Sequence, residues 1–250
     1  MGIVTGFNEK HLNMKNNLPL FVLAVLLFAS CREKEPVVKV IENAVTDYDG
    51  NTYNAVQIGK QVWMKENLRT THYADGTPVG SDDICSVEQR ANTSEEYGFL
   101  YSDEAAALGG SYNNDASNSV QGICPDGWHL PSRYEWLVLS RYVQQFTDDV
   151  VGALSAPAGW DLDTNGIHNT SDINSFQFSA LPSRRIEYYS YSKPVGCFWS
   201  STVYQTDGSR PPVIYTYDMT VMDYYNNTQL YFFRYGGMFP FASVRCVRDK

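Results

Sequence analysis

CPDGWHLPSRYEW, running from Cys124 to Trp136, is the stretch from which the fold of this chain is read. Ser132 and Glu135 have the S-x-x-E spacing of a capping box, in which the hydroxyl accepts from the third helical N–H and the carboxylate returns to the N–H of the cap. A helix is therefore predicted from Arg133 to about Gln144. Trp136, Leu139 and Val143 recur on its inner face at spacings of three and four, and Leu137 widens the stripe. Glu135 is then structural before it is catalytic. His129, inside the Trp-His-Leu-Pro turn, reads as a hydrogen-bonded structural histidine.

Upstream, the run Thr46–Tyr53 places an Asp-Gly turn ahead of Tyr53, Val56 and Ile58, and a second turn at Gly59-Lys60 leads into Gln61–Met64. This is a hairpin signal. Tyr97–Tyr101 reads as a short strand, after which Ser102 can cap Asp103–Leu108 before Gly109-Gly110 stops it. Downstream, a second helical stretch is expected near Asp148–Leu154. The rest is rich in Tyr, Phe, Asn and Gly, with brief alternations at Val213–Tyr217 and Gln229–Tyr235 that suit short antiparallel strands and long loops. Phe241–Arg248 alternates as a buried final strand would.

The chain has 250 residues, 43% of them hydrophobic, which is enough for one folded domain with a core. Its formal charge of −9 and the absence of any Lys/Arg cluster longer than Arg184-Arg185 argue against nucleic acid and anionic membrane surfaces as partners.

Leu18–Ala29 is an uncharged run of twelve residues behind Lys15, too short to span a bilayer and of the right length for a secretory h-region. Residues 1–30 are read as a signal peptide whose true start is Met14 if Met1–Asn13 is a gene-start artefact. Ala29 and Ser30 before Cys31 resemble a bacterial lipobox, so Cys31 is the expected lipid attachment site. Phe28 departs from that pattern, and ordinary cleavage with Cys31 unmodified is the alternative. The run Arg32–Glu35 resembles the charged tags that direct lipoproteins of Bacteroidetes-type bacteria to the outer face of the outer membrane, and reads equally well as a polar tether. Residues 31–44 are expected to be tether and 45–250 the domain. The expected location is the outer membrane, facing the cell surface, with a periplasm-facing domain as the alternative.

Cys85, Cys124, Cys197 and Cys246 form an even, dispersed set with no CxxC pair, which suits disulfides in an oxidising compartment better than a structural metal site. Three connectivities are open, and the preferred one joins Cys124 to Cys246 and Cys85 to Cys197. A calcium-loop echo lies at Asp161, Asp163 and Asn165, with Gly166 at the sixth position, Asn169 at the ninth and Asp172 at the twelfth. Its flanks are not helical, so the competing reading is a self-satisfied polar turn. No cofactor is required by the sequence, and Ca2+ is the one candidate. Tyr188, Tyr189, Tyr191, Tyr224 and Tyr225 cluster as candidate ligand-binding aromatics, against the alternative that tyrosines at period two pack half-buried in strands. There is no G-x-S-x-G elbow, and no enzymatic activity is expected.

Six blocks occur in order: Tyr53–Leu68 (YNAVQIGKQVWMKENL), Tyr97–Ala106 (YGFLYSDEAA), Cys124–Trp136, Phe178–Ser183 (FSALPS), Phe198–Thr202 (FWSST) and Val244–Val247 (VRCV). Together they resemble the Fibrobacter succinogenes major paralogous domain (FISUMP), over roughly Val45 to Lys250. Ser183-Arg184-Arg185 departs from the Gly-rich turn many members carry there. The resemblance implies an exported lipoprotein or surface protein with no catalytic motif to carry over. The helix after the His-Leu-Pro turn and the closing Arg-Cys-Val strand are also similar to those of the C-type-lectin-like and formylglycine-generating-enzyme superfamily. That implies an α+β fold, C-type-lectin-like, with two short helices, a small twisted antiparallel sheet and long loops. The expected function is a lipid-anchored binding or adhesion module of the cell envelope, its specificity set by loops between about Gly109 and Val120 and between Arg184 and Phe232. Its ligand would be a glycan or an envelope protein. A structural component of a surface fibre or envelope assembly is the alternative, and a polysaccharide-holding accessory a third.

Overall fold

The hairpin expected after the Asp-Gly turn is present, with a third strand on its outer side. The computed structural model describes residues 35–86, 94–108, 119–160, 171–188, 191–204, 213–220, 230–234 and 241–249. Strand β1 (Val38–Thr46) pairs antiparallel with β2 (Thr52–Ile58), and β2 with β3 (Gln61–Met64). Residues 38–44, assigned from sequence to the tether, are thus part of the sheet. Val38 and Val40 face Ile58 and Val56, but a bulge between Ile41 and Val45 breaks the alternation by which a strand is recognised. The chain divides into Met1–Glu35 and Pro36–Lys250, and every element named here lies in the second unit.

The fold is α+β, with two sheets where one was expected. β12 (Val247–Arg248) and β6 (Trp128–His129) complete the first sheet, in the order β1-β2-β3-β12-β6. The second sheet runs β10 (Tyr231–Arg234), β9 (Val213–Thr220), β8 (Tyr191–Tyr204), β11 (Ala242–Ser243), β5 (Phe99–Tyr101) and β4 (Ile84–Ser86), with β7 (Arg184–Tyr188) also pairing β8. β11 pairs with β8 in parallel. Between Arg184 and Phe232, where short strands and the specificity loops were expected, the described residues are mostly strand, and β8 alone spans 14 residues.

Four helices are described, where the superfamily resemblance implied two and the local signals three: α1 (Ser94–Tyr97), α2 (Asp103–Ala107), α3 (Arg133–Val143) and α4 (Val150–Leu154). The cap of α2 is the predicted one, since the Ser102 hydroxyl accepts from the Ala105 N–H at 3.1 Å. The capping box of α3 is complete: Ser132 Oγ accepts the Glu135 N–H at 3.3 Å, and Glu135 Oε2 accepts the Ser132 N–H at 2.9 Å. Trp136, Leu139 and Val143 are buried as the spacing requires, and Trp136 packs 4.6 Å from the Trp63 ring and 5.6 Å from Phe198. One core cluster therefore joins α3 and α4 to the first sheet, and a second gathers around Tyr101, Trp199 and the disulfide.

The closing run is one alternating stretch in sequence but two strands in space. Ala242–Ser243 belongs to the second sheet and Val247–Arg248 to the first. Between them, Val244 O accepts the Leu68 N–H at 2.9 Å and Cys246 O accepts the Met64 N–H at 3.0 Å, so the segment stays hydrogen-bonded as it crosses. Arg245 turns inward and is fully buried. Its guanidinium donates to Asn67 Oδ1 at 2.6 and 3.1 Å, to the Ser179 carbonyl at 3.3 Å and to the Phe178 carbonyl, with the Phe178 ring 4.6 Å away. Burial pulls this group down to about 9, still cationic at neutral pH.

Cys124 and Cys246 form a disulfide across 122 residues, in agreement with the preferred pairing. Cys85 and Cys197 are not joined, which corrects the other half of it. Phe198, Ser243, Leu100 and Cys85 lie in one line across β8, β11, β5 and β4. Three strand spacings, roughly 14 Å, thus lie between the strands that carry the two cysteines, about twice the Cα separation a disulfide tolerates.

Reducing Cys124–Cys246, or replacing both cysteines by Ser, is expected to lower unfolding free energy in urea by about 5 kcal/mol on the chain-entropy model. Unchanged urea midpoints would refute that. Arg245→Met leaves buried acceptors on Asn67 and Phe178 without a donor, at about 1–3 kcal/mol each. It should unfold at clearly lower urea than wild type, and a midpoint equal to wild type would show that the guanidinium contributes nothing.

Candidate functional site

An open cleft of about 720 Å³ is lined by Asp49, Asn51, Arg69, Thr71, Glu95 and Phe99. It is built from the Asp-Gly turn between β1 and β2, the segment after β3, the helix α1 and the start of β5. Asp47 organises the turn: its Oδ1 accepts the Asn51 N–H at 2.9 Å, and its Oδ2 accepts the Tyr53 hydroxyl at 2.6 Å and the Asn51 amide at 2.9 Å. This is the side-chain turn chemistry that Asp and Asn supply. The Tyr53 phenol is buried, and burial followed by the Asp47 carboxylate pushes its ionisation well up, so it stays neutral.

The other wall is tied to the core. Tyr101 donates its hydroxyl to the Thr70 carbonyl at 2.8 Å, and Trp199 Nε1 donates to the Tyr101 carbonyl at 2.8 Å. Gly98 makes the close approach possible. At its φ of +73° a Cβ would stand 2.7 Å from Leu68 O, whereas the actual backbone lets Phe99 N–H bond Leu68 O at 2.9 Å. Asn67 donates to the Tyr97 carbonyl at 2.8 Å and so links the cleft to the buried Arg245.

Asp49 sits between the walls. Its Oδ2 accepts the Thr71 N–H at 2.5 Å and lies 3.0 Å from the hydroxyls of Thr70 and Thr71, while its Oδ1 faces His72 Nδ1 at 2.5 Å. Burial works to raise this carboxyl, but the Thr71 N–H, the two threonine hydroxyls and His72 outweigh it and hold it at about 2. The Arg69 guanidinium lies 4.9 Å from the Tyr53 ring centroid, with Nε on Asn51 Oδ1 at 3.3 Å and Nη2 on the Thr52 carbonyl at 3.4 Å. The arrangement is a fixed set of polar groups beside an aromatic side chain, suited to holding a polar ligand.

None of the residues singled out from sequence lines this cleft. Cys31, Asp161, Asp163, Asn165, Tyr189, Tyr224 and Tyr225 lie outside the described residues. Asp172 is described, and its carboxylate accepts the Thr147 hydroxyl at 2.7 Å and the Ser171 hydroxyl at 3.2 Å. Tyr188 and Tyr191 are backbone register partners at the end of the β7–β8 hairpin. Among the described residues no group of three or more His, Cys, Asp or Glu is placed to hold a metal ion. The cleft was missed because its signal was read only as a turn. Asp47-x-Asp49-Gly50-Asn51 and Arg69-Thr70-Thr71-His72 lie some twenty positions apart, and the Tyr53 hydroxyl, which takes the Arg69 N–H at 3.0 Å, brings them together.

A second charged cluster lies at the start of α3. His129 faces Glu135 Oε1 through Nε2 at 2.9 Å and Asp249 Oδ1 through Nδ1 at 2.6 Å, so both ring nitrogens donate and the ring is an imidazolium. Burial opposes that charge, but Glu135 and Asp249 outweigh it and raise His129 above its ordinary value. For Glu135, burial is likewise overcome, by His129 and by the Ser132 N–H and hydroxyl, and the carboxyl is lowered. A raised histidine contributes stability that is complete below about pH 6.5 and lost as pH rises through the folded value. A lowered glutamate contributes above about pH 4.5 and loses it as pH falls through the folded value. Urea midpoints should therefore fall on the alkaline side of this window, and His129→Asn should flatten that limb; an identical pH profile for the variant would exclude the cluster as its cause.

No match was found among curated proteins or among solved structures. The model of one family, described as the Fibrobacter succinogenes major domain, matches residues 56–248, which takes in β3, α3, the disulfide and the closing strands. The chain belongs to the Fibrobacter succinogenes major domain family.

Proposed function

We propose that this chain is a binding module of the bacterial cell envelope, exported by its N-terminal leader and anchored to the outer membrane by a lipid on Cys31. The observation that carries the binding role is the cleft at Asp49 and Arg69, whose polar groups are set by buried partners before any ligand arrives. Preorganised groups of this kind favour binding because little ordering entropy remains to be lost. The leader, the small residues before Cys31 and the oxidised Cys124–Cys246 pair support export. On this reading the domain faces the cell surface and holds its ligand without reacting on it. We also read the arrangement as C-type-lectin-like, a reading supported by a first and a last strand that share one sheet and a disulfide from the turn before α3 to the closing segment.

One feature favours the reading as part of a fibre or envelope assembly. Among the described residues β1 is the outermost strand of its sheet and spans nine residues, and an unpaired strand edge is a template for strand addition by a neighbour.

Expressed in a bacterium with outer-membrane lipoprotein export and fed an alkyne-bearing fatty acid, the protein should carry the label, and Cys31→Ser should remove it and release the domain from the membrane fraction. Protease added to intact cells should degrade it. A wild-type protein without label would overturn the anchor, and protection in intact but not lysed cells would place the domain on the periplasmic side.

A further inference from the structure

We propose that the cleft lined by Asp49, Asn51, Arg69, Thr71, Glu95 and Phe99 is a binding site for a neutral saccharide. The proposal rests on the binding-module reading and names the ligand class of that site.

Hydrogen-bonding capacity points to the ligand's chemistry. A guanidinium carries five N–H donors. Arg69 directs Nε to Asn51 and Nη2 to Thr52, so three N–H bonds are left for a ligand. The Asp49 carboxylate is saturated by Thr70, Thr71 and His72 and serves to hold the wall. Glu95 is exposed, and its carboxylate has no hydrogen-bond partner among the described residues. The cleft thus offers unspent donors on Arg69 and unspent acceptors on Glu95. A hydroxyl both donates and accepts, and a pair of vicinal hydroxyls matches the two-pronged geometry of a guanidinium or a carboxylate.

Charge narrows the class. Among the described residues that line the cleft, the carboxylates of Asp49 and Glu95 outnumber the single Lys or Arg cation, Arg69, on a chain whose formal charge is −9, so an anionic ligand would meet net repulsion. A cationic ligand would have to approach Arg69, which is pinned over Tyr53 and cannot withdraw without giving up its bonds. Neutral, hydroxyl-rich groups meet neither penalty. Phe99 adds an apolar wall against which the C–H face of a sugar ring can pack, and the cleft volume of about 720 Å³ lies within the range of small-ligand sites.

The test uses the full chain, purified in a detergent without sugar headgroups. It is screened against an array of neutral oligosaccharides, uronate-containing and sulfated oligosaccharides, and peptides. Binding of the best array ligand is then measured by calorimetry for wild type, Glu95→Ala and Arg69→Lys, with melting temperature as the check on folding. Glu95 is exposed, so Glu95→Ala should melt like wild type. The expected result is binding of one or more neutral oligosaccharides, weakened at least about tenfold by Glu95→Ala. Neutral glycan binding that both variants retain in full would overturn the site. Binding confined to acidic glycans or peptides and lost in Glu95→Ala would overturn the ligand class while leaving the binding module standing. An array without any glycan signal would overturn the saccharide assignment. The binding-module reading would itself fail only if extracts of the cell envelope also gave no saturable binding to the wild-type chain.

Discussion

The guanidinium of Arg245 is fully buried, and every hydrogen bond it makes goes to a neutral oxygen. Such a group is costly to bury and is tolerated only when its donors are met. Meeting them fixes three separate parts of the chain at once: Asn67 beyond the hairpin, the Phe178–Ser179 backbone before the second sheet, and the closing segment itself. The Phe178 and Phe198 rings, at 4.6 and 5.5 Å, exclude water from the site. Because Ala242–Ser243 and Val247–Arg248 belong to different sheets, this contact is also the joint between them. The disulfide one residue further on ties the same joint to the turn that precedes α3.

The candidate site inherits its rigidity from this joint. Asn67, which accepts from Arg245, donates to the Tyr97 carbonyl and so sets where α1 ends and β5 begins. Arg69 and Thr70 follow two and three residues later, held by the hydroxyls of Tyr53 and Tyr101. Both phenols are buried and neutral, each acting as a donor to one oxygen. The polar lining of the cleft therefore stands on core aromatic residues, and a site supported in this way keeps its geometry better than one carried on loops alone. The His129 cluster does comparable work at the opposite end of the closing segment, where Asp249 and Glu135 bring the last residues against the start of α3.

Local signals were legible where a few adjacent residues satisfy one another. Ser132 and Glu135 announced the helix they cap, Ser102 the start of α2, and the Gly59-Lys60 turn the β2–β3 hairpin. The hydrogen bonds expected of His129 and the capping role expected of Glu135 are both present. Where the outcome depended on partners distant in sequence, the reading failed. β1 escaped because its bulge hides the period, and the closing run was read as one strand because nothing local shows that Arg245 must turn inward. Cys85 was paired with Cys197 by counting, which carries no information about the strands that lie between them.

What the sequence alone determined is the family, the α+β class and the helices capped by Ser102 and Ser132, because each rests on ordered motifs or on bonds between residues a few positions apart. The division into two sheets, the separation of Cys85 from Cys197 and the cleft at Asp49 and Arg69 were decided only by the tertiary structure. The physical reason is common to all three. Strand order and the aim of a polar side chain are set by which buried donors and acceptors meet across the chain, and spacing along the sequence does not encode those meetings.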